Sequence, residues 1–396
     1  MTDATFDAVT AAPPEETAGS VIFTAYRGPL AKLAVKTVLL SIVTLGFYRF
    51  WGKTAIRRFL WRNISIAGDR LEYTGTAREL LIGFLIAIVL LAPLFAMPYL
   101  LGYLVADEAL LGLFGFLNTM VLIFLFQVAI YRARRYRLSR TLWRGVRFGQ
   151  GGRAITYAFM SLASSAVLVI TLGLAYPWQR VRLQRYRTDN TWFGGERASL
   201  DARARRLMPA WLVVWGMALA TAGLFVLAIG MYQMGNGWFG IATILTLACG
   251  VGTIVAFARY HVVEFRYFVE STRFLDVRAT SELKTTPILF IYAVALGLML
   301  VLMLAIGIVG VATTGLKPAP TVPSTVALVG MAVNWIIFIG GLFVISLSWI
   351  WYELIEEICE TLSIRNLHSV ETVLRSDRTA PSHGEGLADA LDVGGF

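Results

Sequence analysis

Six uninterrupted apolar runs, each longer than the about 18 residues that read as a membrane span, constrain this chain more than any other feature. They lie at 80–104, 110–130, 208–231, 238–258, 288–313 and 326–351. Over its 396 residues the chain is 57% hydrophobic and 15% charged, well below the roughly 25% charge of a soluble domain. A water-facing globule is excluded, and the pattern predicts an all-α, polytopic helical membrane protein.

The runs pair through short or charge-poor turns at 105–109, 232–237 and the Pro-rich 314–325, which predicts three helical hairpins. Two further segments, 33–48 and 154–178, are ambiguous, being short or interrupted by Thr-Leu-Gly. The basic residues separate the alternatives. Of 35 Lys and Arg, seven fall in 49–79, eight in 132–153, eight in 179–206 and five in 259–286. Eight spans would put two of the richest stretches on opposite sides, against the positive-inside rule. Six full spans plus two re-entrant or interfacial segments keep every basic stretch, and both termini, cytoplasmic. Irregular backbone at such breaks needs protein around it, because lipid offers no hydrogen bonds.

The two broken segments are copies. Thr44, Gly46 and Trp51 match Thr171, Gly173 and Trp178 at one constant offset in the numbering, and Asn63 matches Asn190 at the same offset without a gap. A weaker copy, at a slightly longer offset, relates Tyr136, Thr141 and Arg147 to Tyr267, Thr272 and Arg278. These registers divide the chain into a disordered tail (1–20), a first unit (21–131), a second (132–258), a diverged third (259–352) and an acidic helix with a disordered tail (353–396). Repeats of this kind build transporters and also plain scaffolds.

With these residues the chain resembles the YjgN family of bacterial inner-membrane proteins, built on a domain of unknown function (family 898). The resemblance rests on Thr-Leu-Gly followed by Trp, on Arg57-Arg58-Phe59 and Arg185-Tyr186, on Tyr73-Thr74-Gly75-Thr76, and on the Trp143–Gly149 stretch. It covers about 23–282 and implies a bacterial inner membrane. It brings no activity and no binding residues.

Between the runs, Lys53, Arg57, Arg58 and Arg62 in one stretch, and Arg180, Arg182, Arg185 and Arg187 in the other, lie on helices with aromatic anchors. Such basic amphipathic helices sit at the headgroup level and capture anionic lipid, by general attraction or by forked contacts to a phosphate. Glu353, Glu356, Glu357 and Glu360 share one helix face, which calls for cytoplasmic arginine partners, or else solvent or a divalent cation. Thr76-Ala77-Arg78-Glu79 reads as a capping box. The scattered Cys249, Cys359, His261, His368 and His383 define no metal, haem or disulfide pattern, and no cofactor is expected. The net charge of +10 lacks any nucleic-acid module.

Function therefore divides three ways. The first reading is a non-enzymatic scaffold that binds lipids, a partner protein or a second copy through its arginine-rich face. A transporter or channel built around paired re-entrant segments is the alternative. An enzyme on lipid-linked substrates using Glu353–Glu360 is remote, since no nucleophile or base with its partner can be named.

Overall fold

The computed structural model describes residues 19–314, 325–370 and 389. The chain begins with β1 (Gly19–Phe23), α1 (Arg27–Val43), α2 (Arg49–Arg62), β2 (Ile64–Ile66), β3 (Asp69–Tyr73), α3 (Ala77–Leu104) and α4 (Glu108–Ser139). It continues through β4 (Thr141–Trp143), β5 (Val146–Gln150), α5 (Ala154–Ile170), α6 (Tyr176–Asp189), β6 (Thr191–Phe193), β7 (Glu196–Arg197) and β8 (Ser199–Leu200). Then come α7 (Ala204–Gln233), α8 (Phe239–Ser271), β9 (Thr272–Phe274), β10 (Val277–Ser281) and α9 (Thr285–Thr314). Last are α10 (Thr325–Ile345), a π-helical turn, α11 (Tyr352–Thr361) and β11 (Leu362–Arg365). Among the described residues, six helices are long and apolar enough to cross a membrane: α3, α4, α7, α8, α9 and the continuous rod from α10 to α11.

The all-α expectation is incomplete. The short segments between helices pair into an eleven-stranded sheet, ordered β7-β6-β5-β4-β3-β2-β1-β11-β10-β9-β8. Its two ends, β7 and β8, are consecutive pieces of one extended stretch separated by Ala198, so the sheet is a nearly closed ring. That stretch pairs with β6 through its first half and with β9 through its second. Closure satisfies the backbone donors and acceptors that an open edge would leave bare. Gly19 and Ser20, read as tail from the sequence, belong to β1 and pair with Ile364 and Ser363.

Tight turns make the hairpins possible. Ala67 and Gly68 have φ of 49° and 86°, and Arg144 and Gly145 have 49° and 71°. Two successive left-handed residues form the turn whose twist matches antiparallel strands. Period-two alternation then puts one set of side chains on a common face. Leu71 faces Trp143, Trp143 faces Val146, Phe148 faces Phe193 and Phe274 faces Val277. These residues close on one another, with Leu367 and Val370 from beyond β11, into a buried aromatic and aliphatic core. The middle of the ring is packed.

Every helix that enters the ring ends in the same way. Asn63 Nδ2 donates to Phe59 O at 2.7 Å, Thr141 Oγ1 to Arg137 O at 2.9 Å and Asn190 Nδ2 to Tyr186 O at 2.8 Å. Thr272 and Thr361 repeat this on Phe268 O and Glu357 O, each at 2.7 Å. A backbone bond then ties each strand exit to the end of the next entering helix. These run from Thr24 N to Asn63 O, Thr74 N to Arg140 O, Gly151 N to Asn190 O, Asp201 N to Ser271 O and Glu282 N to Thr361 O, at 2.7 to 3.0 Å. The two repeat offsets read from the sequence are spacings between such junctions. Five helical pairs thus leave the ring and return to it: α1/α2, α3/α4, α5/α6, α7/α8 and α9/α10–α11.

The Thr-Leu-Gly motif turns the two short pairs around. Thr44 Oγ1 donates to Leu40 O at 2.7 Å and accepts from Tyr48 N at 2.9 Å. Thr171 does the same with Val167 O and Ala175 N, at 2.8 and 3.2 Å. Leu45 and Leu172 stand at φ of 50° and 47°, followed by Gly46 and Gly173 at 90°. A leucine there costs about 1–2 kcal/mol, which the threonine bonds and the glycine's freedom help to offset. The second break is also held by α7, whose Trp211 and Trp215 indoles donate to Gly173 O and Leu172 O at 3.0 and 2.9 Å.

The turn geometry makes a paired prediction. Gly145→Val, which forces a β-branched residue to a φ of 71°, should lower stability by about 1–2 kcal/mol. Gly195→Ala, at a turn position with open space and no left-handed φ, should stay within about 0.5 kcal/mol. Thermal unfolding of the purified protein in detergent checks both.

Candidate functional site: repeated arginine-lined clefts beside the ring

The helices α2 and α6 carry the basic residues read from the sequence, and packing on several sides splits those residues into two groups. Lys53 and Arg57 turn inward and are buried, Arg57 completely. Arg180 and Arg187 also engage protein: Arg180 forks onto the buried Glu264 at 2.7 and 3.1 Å, and Arg187 donates to the Tyr157 hydroxyl. His261 Nδ1 lies 3.1 Å from the same Glu264 carboxylate. By contrast Arg58, Arg62, Arg182 and Arg185 are exposed.

The exposed group lines two clefts of about 770 and 450 Å³. One lies among Leu33, Trp51, Arg58, Arg62, Asn63 and Arg78. The other lies among Met160, Trp178, Arg182, Arg185, Asn190 and Arg203. Leu33 and Met160, Trp51 and Trp178, Arg58 and Arg185, and Asn63 and Asn190 are all related by the one offset of the Thr-Leu-Gly repeat, so the clefts are the same cavity built twice. In both, a half-exposed tryptophan stands at the rim, and the first turn of α3 or α7 forms one wall. Arg182 lies over the Trp178 ring at 5.1 Å. Within each wall an arginine braces the backbone: Arg58 donates to Gly75 O at 2.9 Å and Arg185 to Ala202 O. Arg135 on α4 makes the related contact to Gly151 O at 3.1 Å. Where Arg62 stands in the first cleft, the second has Asp189, so the first is the more basic. Arg78 and Arg203 escaped sequence reasoning because their place in the clefts depends on where α3 and α7 meet the ring.

The structural residues of the repeat lie at the cleft margins and helix ends: Thr44, Gly46, Thr171 and Gly173 in the breaks, Trp51 and Trp178 at the rims, Asn63 and Asn190 at the junctions. Thr76 caps α3, accepting from Glu79 N at 3.4 Å. The Glu79 carboxylate instead accepts from the Tyr136 hydroxyl at 2.8 Å and pairs with Arg140 at 3.0 Å. On α11, Glu353 pairs with Arg27, and Glu356 accepts from the Tyr352 hydroxyl at 3.3 Å. Glu357 is partly buried and Glu360 is exposed. Among the described residues no group of three or more His, Cys, Asp or Glu is placed to hold a metal ion.

The inward pair has a partner that no local spacing announces. Arg57 forks onto the Asp389 carboxylate, its second Nη donating at 2.9 Å, and Lys53 Nζ donates to Asp389 O at 2.7 Å. Arg57 also donates to the Tyr73 hydroxyl at 3.2 Å. Burial alone would push the Asp389 carboxyl up. The Arg57 fork outweighs it, with Lys53 and Arg137 adding to the effect, and holds that carboxyl below the ordinary carboxylate range. Burial likewise disfavours the Arg57 cation, and Asp389 more than restores it.

Comparison with known proteins agrees with this picture of a membrane protein. The inner membrane protein YjgN of Escherichia coli K12 is 28% identical over 116 residues, and that of Escherichia coli O157:H7 is 32% identical over 116 residues. Each match covers 29% of this chain and 27% of the relative's length. No solved structure matches. The pattern of a bacterial family of unknown function, DUF898, spans residues 18–390. That match takes in the ring, all five helical pairs and both clefts, and the chain belongs to this family.

Proposed function

We propose that this protein is a non-enzymatic component of the bacterial inner membrane that holds anionic lipid headgroups in its two repeated clefts. The recurrence of one arginine-lined cavity in two repeat units, at matching positions, carries the reading. Each cleft joins a tryptophan rim, cationic side chains and the start of a long apolar helix, the combination that a headgroup and its acyl chains require. General attraction alone contributes about 1 kcal/mol per basic residue near an anionic surface. A formed cavity adds selectivity to it. A scaffold for a partner protein or a second copy fits the same arginine-rich face.

In the proposed topology the ring and all the arginine-rich stretches are cytoplasmic, with both termini on that side. The pairs α3/α4, α7/α8 and α9/α10 supply six spans in three hairpins, and α1/α2 and α5/α6 are re-entrant. Adjacent strands support this, since β1 precedes α1, β2 follows α2, and the two strands pair. With 17 residues, α1 and α5 each rise about 25 Å, short of the roughly 30 Å hydrocarbon core. Their turning points carry exposed apolar side chains, Val43 at 78%, Leu45 at 90%, Ile170 at 81% and Leu172 at 77%. Such tips suit lipid and not water. The packed centre of the ring argues against a solute path through it, which favours this reading over a transporter or channel.

Native mass spectrometry of the detergent-purified protein tests the clefts. The wild type should retain phosphatidylglycerol in preference to phosphatidylcholine. Arg62→Gln with Arg78→Gln should remove one retained lipid, and adding Arg182→Gln with Arg203→Gln should remove a second. Unchanged retention in a folded quadruple variant would contradict headgroup binding.

A further inference from the structure

A cavity of about 350 Å³ lies between α1, α2 and α10, away from both clefts. Its walls are mostly apolar, with Ile42 on α1, Phe50 on α2, and Ile336, Ile339 and Phe343 on α10. Ser41 and Arg49 stand among them. The Ser41 hydroxyl is buried and has no hydrogen-bond partner among the described residues. Arg49 lays its guanidinium over the Phe50 and Phe84 rings at 4.8 and 4.4 Å, and has no ion pair among the described residues. Lys53, on the same wall, is engaged elsewhere, donating to Asp389 O at 2.7 Å. The second repeat unit treats the equivalent positions differently. At the offset of the Thr-Leu-Gly repeat, Ser41 becomes Leu168, Arg49 becomes Tyr176 and Phe84 becomes Trp211. Tyr176 stacks on Trp211 at 4.4 Å within a packed core. An apolar pair therefore holds this corner of the fold in one unit, and the fold itself does not require the Arg49 cation in the other.

Arg49 opens α2, a helix of 14 residues whose other end joins the ring, so it stands roughly 20 Å from that junction. With α1/α2 re-entrant, the reading on which this inference rests, that distance places Arg49 inside the roughly 30 Å hydrocarbon core. A cation at such depth is costly unless an anion meets it, and marks a site of function. The two aromatic faces attract it by about 0.5–2 kcal/mol but leave its N–H fork unused, and that fork matches the paired oxygens of a carboxylate or phosphate. The volume is at the small end of ligand pockets, about 300–1,000 Å³, which suits one acyl chain better than two. We propose that this cavity binds a single-chain acidic amphiphile, its carboxylate or phosphate on Arg49 and Ser41 and its chain along Ile336, Ile339 and Phe343 of α10. This site shares no residue with the two clefts.

The test uses palmitate carrying a mid-chain diazirine, photo-crosslinked to the full chain in phosphatidylcholine nanodiscs, with the labelled residues mapped by mass spectrometry. Labelling at 336–343 of α10 should be saturable and displaced by palmitate, but not by uncharged hexadecanol. Displacement by lysophosphatidylglycerol at lower concentrations than by palmitate assigns a phosphate-bearing lipid as the occupant, and the reverse order assigns a fatty acid. Arg49→Gln should lower this labelling at least fivefold, and Arg49→Lys should keep it within twofold. Should Arg49→Gln fail to fold, Arg49→Tyr with Ser41→Leu, the residues the second unit carries at these positions, should give the same loss. In the variant with Arg62, Arg78, Arg182 and Arg203 all changed to Gln, labelling should persist. Its loss there would show that the acid is held by the clefts, overturning this site and leaving the cleft reading intact. Labelling that does not saturate, that hexadecanol displaces equally, or that survives both Arg49 variants shows annular lipid only and overturns the proposal.

Discussion

The backbone hydrogen bonds that tie each strand exit to the end of the next entering helix are the constraint on which the rest of the structure depends. They recur at five junctions, from Thr24–Asn63 to Glu282–Thr361, and convert separate helical hairpins into one ring. Individually each contributes about 1 kcal/mol. Their effect is mainly geometric, because each one fixes the end of an entering helix beside the strand exit next to it. The short helical pairs with Thr-Leu-Gly breaks and the long apolar pairs obey the same rule, and differ only in how far they travel from the ring.

The ring also accounts for the arginines. At Arg58, Arg135 and Arg185 a guanidinium braces the carbonyl of the strand exit beside it. Other arginines are drawn into buried contacts, such as Arg57 with Asp389 and Arg180 with Glu264. Of those that stay exposed, Arg58, Arg62, Arg78, Arg182, Arg185 and Arg203 line the two clefts. One residue type thus does three jobs: bracing backbone, balancing buried carboxylates, and lining two open clefts.

Much of this was legible in the sequence, and the misses have physical reasons. The apolar runs needed only length and hydropathy, and the helices follow them. The Thr-Leu-Gly breaks were visible because Thr44 and Thr171 act locally, within four residues of their partners. The sheet was not, since strands of two to five residues are too short for alternation to stand out. Ala67-Gly68, Arg144-Gly145 and Gly194-Gly195, each followed by a short apolar-polar alternation, were the turn signals available. Helical spacing put Lys53 and Arg57 on an outward basic face, but α2 packs on several sides and turns them inward. Asp389, 332 residues from Arg57, has no spacing from which pairing could be inferred. Ion pairs made across a folded ring leave no periodic trace.

The central claim is that the whole ring lies on one side of the membrane, including the hairpin between α6 and α7. The most direct measurement is cysteine labelling with a membrane-impermeant maleimide in intact spheroplasts, with Cys249 and Cys359 replaced by Ser. Cysteines at Arg144 and Gly195, both in hairpin turns, should be labelled only after the membrane is opened. A cysteine at Asp107, between α3 and α4, should be labelled from outside. Labelling at Gly195 but not at Arg144 in intact cells would split the ring across the bilayer and contradict the account.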